Sequence, residues 1–373
     1  MNPLRRLAAL GQSVYLDELS RRMLRDGDLE RLIRDDGLHG VTSNPAIFQK
    51  AISQGDDYDE EIGRLAREGR TAEAIFEALA VADIRDAADL FEEVHSGSDG
   101  QSGYVSLEVS PHLAHDTEGT IEEARRLWQA LERRNVFIKV PGTAAGLPAI
   151  RQLIREGINV NVTLLFGLPR YTEVVEAYLA GLEDRLAAGE PIGGVASVAS
   201  FFLSRIDVAI DPKLDELAAA GGERGQRAAA LRGRAAIASA KRAFAIYRER
   251  FGTRRFKALA DRGARPQRLL WASTGVKDER YAPTMYVEPL IGENTITTMP
   301  RETLDAYREE GEPELRLEDG LEEASRTLRA LAELEIDLDE VTARLEEEGV
   351  EKFAKPFEAL LETVRDTMAE LKA

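Results

Sequence analysis

The sequence predicts an α/β fold, a parallel (β/α)8 TIM barrel carrying additional C-terminal helices. Three observations lead there. Eight short apolar runs are bounded by turn residues, helix-patterned stretches separate nearly all of them, and polar residues recur at alternate positions within the runs. The length of 373 residues suits a single catalytic domain, with a barrel over about 10–300 and a helical extension over about 301–373.

The first strand is Ser13–Asp17, followed by an amphipathic stretch from about Glu18 to Arg34. The second is Gly40–Pro45, with helical segments through about Phe91. Gly103–Ser110 is the third, stopped by Pro111, and Thr117–Glu132 is its helix, opened by early acids. The fourth lies within Asn135–Thr143, where Val136, Phe137, Ile138 and Val140 surround Lys139 and Pro141-Gly142 closes the run. Pro148 then sits near the start of a helix. Gly157–Leu165, Gly193–Ser200 and Arg268–Thr274 are the fifth, sixth and seventh strands, and Thr284–Ile291 is the expected eighth. Between the sixth and seventh, Asp207–Phe251 reads as a pair of helices meeting at Gly221-Gly222. Beyond Pro300, Leu328, Leu331 and Leu334, then Phe353, Phe357, Leu360, Leu361 and Val364, recur at helical spacing, so this extension has a face to bury against the barrel.

A formal charge of −18 argues against nucleic acid or an anionic membrane as partner. With no cysteine there is no disulfide, thiolate nucleophile or cysteine-bound metal. No apolar run approaches a membrane span, and the first residues lack a signal-peptide core, so the expected setting is cytoplasmic. No flavin, nicotinamide or ATP motif occurs, so no cofactor and no metal is implied. The sequence does not decide between a monomer and a homo-oligomer.

Alternation decides which residues share the barrel axis. Val105, Leu107 and Val109 of the third strand face outward, leaving Ser106, Glu108 and Ser110 inside. The same rule leaves Asn159, Asn161 and Thr163 inside from the fifth strand, Phe137 and Lys139 from the fourth, and Tyr15 and Asp17 from the first. Buried polar atoms need partners and buried charges need more, so such a set is costly as plain packing. Lys139, Glu108 and Asp17 also lie toward the C-terminal ends of their strands, the face that carries barrel active sites. A lysine on a buried strand either snorkels to water or sits desolvated, and a desolvated amine is a nucleophile for carbonyls. A structural ion pair between Lys139 and one acid is the plain alternative. It leaves the second acid and the Asn/Thr array unexplained.

Three segments, taken in order, resemble the transaldolase family: Gly40-Val-Thr-Ser-Asn-Pro-Ala-Ile-Phe48, Val136-Phe-Ile-Lys-Val-Pro-Gly-Thr143 and Gly157-Ile-Asn-Val-Asn-Val-Thr-Leu-Leu-Phe166. The length, the helical extension and Gly292–Pro300 resemble its longer subgroup. The resemblance implies transfer of a dihydroxyacetone unit from a ketose phosphate to an aldose phosphate, with phosphorylated sugars as partners. It implies Lys139 as the Schiff-base residue, Asp17 as the acceptor of the C4 hydroxyl proton, and Glu108 as a proton shuttle through a water held with Thr163. Asn44 and Asn161 then hold donor hydroxyls. Ser200-Phe-Phe-Leu-Ser-Arg205 resembles the family's sixth-strand end, making Arg205 a phosphate clamp, Ser200 a substrate contact and Phe202 a pocket wall. In Ala272-Ser-Thr-Gly-Val-Lys277, Ser273 and Lys277 are the remaining candidates. Many members carry an arginine two residues after that serine, where this chain has Gly275, and Lys277 is the residue at hand to replace it.

Three other readings compete. A Schiff-base aldolase releasing free dihydroxyacetone uses the same lysine. A metal-dependent aldolase would draw on His112, His115 and Asp116. A non-catalytic acidic barrel scaffold fits the charge but not the inward Lys/Asp/Glu set.

Overall fold

In the computed structural model, which describes residues 2–371, eight strands close into a barrel with every neighbouring pair parallel. They are β1 (Gln12–Leu16), β2 (Gly40–Val41), β3 (Tyr104–Glu108), β4 (Val136–Pro141), β5 (Val160–Leu165), β6 (Ser197–Phe202), β7 (Arg268–Ala272) and β8 (Thr295–Met299). Strand order follows chain order, and β1 pairs with β8 to complete the ring. No helix among the described residues is long and apolar enough to cross a membrane.

The eighth strand departs from its expected place. Thr284–Ile291 runs as turns and a short 3-10 helix over Glu288–Leu290, while β8 begins at Thr295. Pro289 has no N–H to give a central parallel ladder, whereas Thr295-Ile-Thr-Thr-Met299 is β-branched at four of its five positions. The sixth strand also begins later than expected, at Ser197, because Gly193 and Gly194 form a turn before it. The amphipathic stretch after β1 forms two short helices, Arg21–Arg25 and Asp28–Arg31, separated at Gly27, whose φ of +68° suits glycine. The pair of helices expected over Asp207–Phe251 is instead three, Ser204–Ala219, Gly222–Leu231 and Ala235–Phe251, with a further short helix Arg254–Ala260 before β7. Gly221-Gly222 does mark the first junction.

Inward side chains stack in layers along the axis. At the N-terminal end Tyr15, Tyr104 and Phe137 fill the barrel, with the Tyr104 and Phe137 rings stacked at 4.2 Å. Above them Asn161 donates to Ser106 Oγ at 3.2 Å and accepts from Ser200 Oγ at 2.7 Å. The top layer, at the C-terminal mouth, holds Asp17, Thr42, Glu108, Lys139, Thr163 and Thr298.

Arg268, the first residue of β7, closes the opposite end. Its guanidinium donates to the carbonyls of Gln101 (2.8 Å), Thr295 (2.7 Å) and Asn294 (3.3 Å), and to Ser13 Oγ (2.9 Å). One cation thereby ties the approach to β3, the start of β1 and the entry to β8. Arg268→Met strips these carbonyls of a charged donor, and we expect a loss of about 3 kcal/mol in urea unfolding. An unchanged midpoint would remove Arg268 from the barrel's closure.

The helical extension packs on the barrel as expected. It comprises Arg301–Glu310, Leu321–Glu333 and Leu338–Glu370, and residues 372 and 373 lie outside the described part. Leu331, Leu334, Phe353, Leu360, Leu361 and Val364 are buried, and Leu328 and Phe357 pack partly buried against them. The 33-residue closing helix Leu338–Glu370, about 50 Å long at 1.5 Å per residue, starts where Asp337 caps the Asp339 and Glu340 amides. It lies against helix Pro45–Ser53 and the end of β5, across the mouth that holds the polar layer.

Candidate active site

Strand register brings the central pair together. Glu108 on β3 is the direct neighbour of Lys139 on β4. Adjacent parallel strands lie less than 5 Å apart, so same-layer side chains must meet. Lys139 Nζ lies 3.4 Å from Glu108 Oε2 and donates to the Ser43 carbonyl at 2.8 Å. The other carboxylate oxygen of Glu108 accepts from Thr163 Oγ1 at 3.4 Å. Lys139 and Glu108 side chains are 6% and 4% exposed, so this amine is wrapped in protein rather than reaching bulk water.

Asp17 stands across the same space. It directly follows β1, and Thr42 Oγ1 donates to its Oδ1 at 2.6 Å. Thr42 is itself 2.7 Å from Thr298 Oγ1, so the single Thr42 proton is directed at Asp17 when Thr298 donates to Thr42. Asp17 opens partly to the cavity yet is enclosed by protein. Burial pushes its carboxyl above the ordinary range, against the Thr42 hydrogen bond and the charges of Lys139 and Lys277. Burial likewise raises Glu108, against the Lys139 charge and the Lys139 and Thr163 hydrogen bonds. Two carboxyls thus flank one amine, both displaced toward the proton-carrying form. Such a set can exchange protons with a bound carbonyl and its hydroxyls.

A cavity of about 190 Å³ opens onto these groups. Of the predicted residues, Asp17, Asn44, Lys139, Thr163, Ser200, Phe202, Arg205, Ser273 and Lys277 line it. Glu108 stands behind Lys139, and Asn161 lies one layer deeper, its amide engaged by Ser106 and Ser200. Ser110, expected inside, follows the end of β3 and its amide donates instead to Glu123 at 2.7 Å. Asn44 has two tasks: its Oδ1 caps helix Pro45–Ser53 through the Ile47 amide, and its side chain faces the cavity. Of two larger hollows, about 840 and 560 Å³, neither is lined by Lys139, although the larger reaches Glu108.

The far wall is cationic and aromatic. The Arg205 guanidinium sits 5.5 Å from the Phe202 ring centroid and 5.6 Å from that of Phe353. Its buried Nη1 meets no acceptor among the described residues, a donor available to an oxyanion in the cavity. Ser273, at a left-handed φ of +54°, is held by Ser204 at 2.9 Å. A Cβ on Gly275 would come 3.1 Å from Pro300 and 3.9 Å from Lys277 Nζ. Lys277 Nζ therefore lies where a side chain at position 275 would begin to extend.

His112 and His115 are half exposed and lie beside Glu358 and Glu347 of the closing helix, at 3.9 and 3.7 Å. Neither lines the Lys139 cavity.

This chain has relatives of nearly its own length among known proteins. It matches the family described as transaldolase/fructose-6-phosphate aldolase over residues 14–364. The chain belongs to that family. It is 50% identical over 361 residues to a protein named transaldolase from Thiobacillus denitrificans, covering 97% of this chain and 99% of the relative. It is 47% identical over 367 residues to one from Saccharopolyspora erythraea (98% of each), and 46% over 369 to one from Thermobifida fusca (99% of each).

Membership in the transaldolase/fructose-6-phosphate aldolase family agrees with the resemblance drawn from the three motifs. Sequence reasoning nevertheless passed over part of the site. Thr42 lies inside the first motif, where alternation from Gly40 would have pointed it inward. Thr298 was hidden because the eighth strand was expected upstream. The Ser43 carbonyl has no side-chain signal. Phe353 reads from helical spacing only as a packing residue.

Proposed function

We propose that this chain is a transaldolase acting through a Schiff base on Lys139. In this reading the amine attacks the C2 carbonyl of a ketose phosphate, forming a carbinolamine that loses water to an iminium. Glu108, 3.4 Å from both Lys139 Nζ and Thr163 Oγ1, exchanges protons in that dehydration, through a water held with Thr163. Asp17 takes the C4 hydroxyl proton as the C3–C4 bond breaks. The aldose phosphate leaves, and a three-carbon enamine stays on Lys139. An acceptor aldehyde then enters, and the steps reverse. Asn44 and Ser200 orient the donor hydroxyls, Asn161 acting from the layer beneath by holding Ser200, while Arg205, Ser273 and Lys277 hold the phosphate. Fructose 6-phosphate and erythrose 4-phosphate would give sedoheptulose 7-phosphate and glyceraldehyde 3-phosphate, a non-oxidative pentose phosphate exchange. The barrel and extension act as one catalytic domain, and a cytoplasmic setting goes with this reading.

The observation that carries the reading is the Lys139 amine enclosed in one cavity wall between two carboxyls of raised pKa. The family description covers both transaldolases and fructose-6-phosphate aldolases. The relatives, each named transaldolase, favour transfer over release of free dihydroxyacetone. The direct test is borohydride reduction with fructose 6-phosphate, followed by peptide mapping. A reduced adduct on Lys139 supports the reading, and folded protein without one overturns it.

Protonation of Asp17 supplies a second check. Asp17 must be ionised to accept a proton, so activity falls as pH drops through its pKa. Because burial raises that pKa, the acid limb of kcat/KM should lie above the ordinary carboxylate range. Thr42→Val removes a hydrogen bond that favours the charged form, so the limb should move to higher pH. A limb that stays in place would remove Asp17 as the titrating base.

A further inference from the structure

We infer that Phe353, contributed by the closing helix, is a specificity-determining residue that keeps water from the Lys139 enamine and so favours transfer over release of the three-carbon unit. The inference rests on the transaldolase reading of the site.

The ring is fixed from two sides. One helical turn before it, Gly349 lies against the end of β5, where a Cβ would come 3.0 Å from Leu164 Cδ2. Leu164 itself adopts a left-handed φ of +58°, at a break in the β5–β6 pairing between Val162 and Leu165. The irregular strand end therefore seats the helix backbone. Phe353, four residues on, points from that seat into the cavity. Its ring centroid lies 5.9 Å from Lys139 Nζ, 5.6 Å from Arg205 Cζ and 6.4 Å from the Phe202 ring. At 8% exposure it is a roof rather than a rim residue.

What the roof decides follows from the two fates of the enamine. If C3 attacks an acceptor aldehyde, a C–C bond forms and transfer is completed. If C3 takes a proton, the iminium returns, water adds at C2, and the C–N bond breaks. In sum, enamine plus one water gives dihydroxyacetone and the free lysine amine. Both fates end in hydrolysis of an iminium by the water assigned above to Glu108 and Thr163, so the step that separates them is the proton at C3, which solvent entering from the mouth can bring. The cavity is otherwise lined mainly by hydroxyls, an amide and charged groups, all hospitable to water, with Leu270, Ala272 and Pro300 the smaller apolar side chains among them. Phe353 and Phe202 close the side facing the mouth, and an apolar cover in a small cavity is an effective means of excluding solvent.

The test compares the parent with Phe353→Ala and Phe353→Leu. Three quantities are read with fructose 6-phosphate: borohydride adduct on Lys139, dihydroxyacetone released without acceptor, and transfer to erythrose 4-phosphate. For Phe353→Ala we expect the ratio of release to transfer to rise about tenfold with the adduct retained, and Phe353→Leu to fall between. Loosening of Arg205 alone would raise KM for the ketose phosphate and leave the ratio unchanged. An unchanged ratio, or release and transfer falling together, overturns the inference. If Phe353→Ala does not fold, the volume-conserving leucine variant is decisive. A parent protein that forms no Lys139 adduct refutes the reaction reading instead, so the two failures are distinguishable.

Discussion

Lys139→Met will form no reducible adduct with a ketose phosphate and will lose transfer by on the order of 10⁴-fold or more. Its fold should survive. Methionine keeps the length and apolar stem of lysine while removing a charge that is 6% exposed. Burial and the loss of the Lys139 charge both push the Glu108 carboxyl left behind toward its neutral form. The Ser43 carbonyl does lose its Lys139 donor. We therefore expect unfolding stability about 2–3 kcal/mol below the parent, at the low end of the roughly 3–5 kcal/mol lost when one member of a buried ion pair is removed. The experiment combines intact mass after borohydride with urea unfolding. An adduct of unchanged yield on another lysine would refute Lys139 as the nucleophile.

Asp17→Asn should uncouple the two halves of the reaction. The amide keeps the carboxylate's size and can still accept from Thr42, so the layer stays packed. It cannot take the C4 hydroxyl proton, and positioned general bases contribute about 10²–10⁴-fold, so cleavage should fall by that factor. Imine formation, which depends on Lys139 and Glu108, should continue. Borohydride would then trap mainly the intact six-carbon ketose phosphate on Lys139, where the parent also yields a three-carbon adduct. Equal three-carbon adduct at equal rate would exclude Asp17 from bond cleavage.

Much of this site is legible in the sequence because strands obey a period of two. Alternation places Asp17, Glu108, Lys139, Asn161 and Thr163 on one axis, and parallel register makes the Glu108–Lys139 contact nearly obligatory. The turn residues Pro141-Gly142 and Pro111 mark which strand ends carry chemistry. Legibility fails where contacts are decided by tertiary packing. The eighth strand was read eleven residues upstream, counting from Thr284 to Thr295, because an apolar run with two prolines nearby resembled a strand more than a threonine-rich one did. The helical spacing around Phe353 predicts burial but not against what. Nothing local states that this helix crosses the mouth, since its position depends on Leu164 and on helix Pro45–Ser53, both far away in sequence. Asn161 was legible as inward, but its depth, one layer below the amine, depends on the stagger of strands around the ring.

The ring closure of β1 on β8 and the seating of helix Leu338–Glu370 on helix Pro45–Ser53 share a property: each joins segments from nearly opposite ends of the chain. Contacts so distant in sequence form against a large loop-closure entropy and come late in folding. The Asp17–Thr42–Thr298 relay spans the first of these closures and the Phe353 roof needs the second. A half-folded chain can thus be rich in helix while lacking any competent centre. Activity regained after denaturation records the joining of distant segments, whereas helical signal records only what forms nearby.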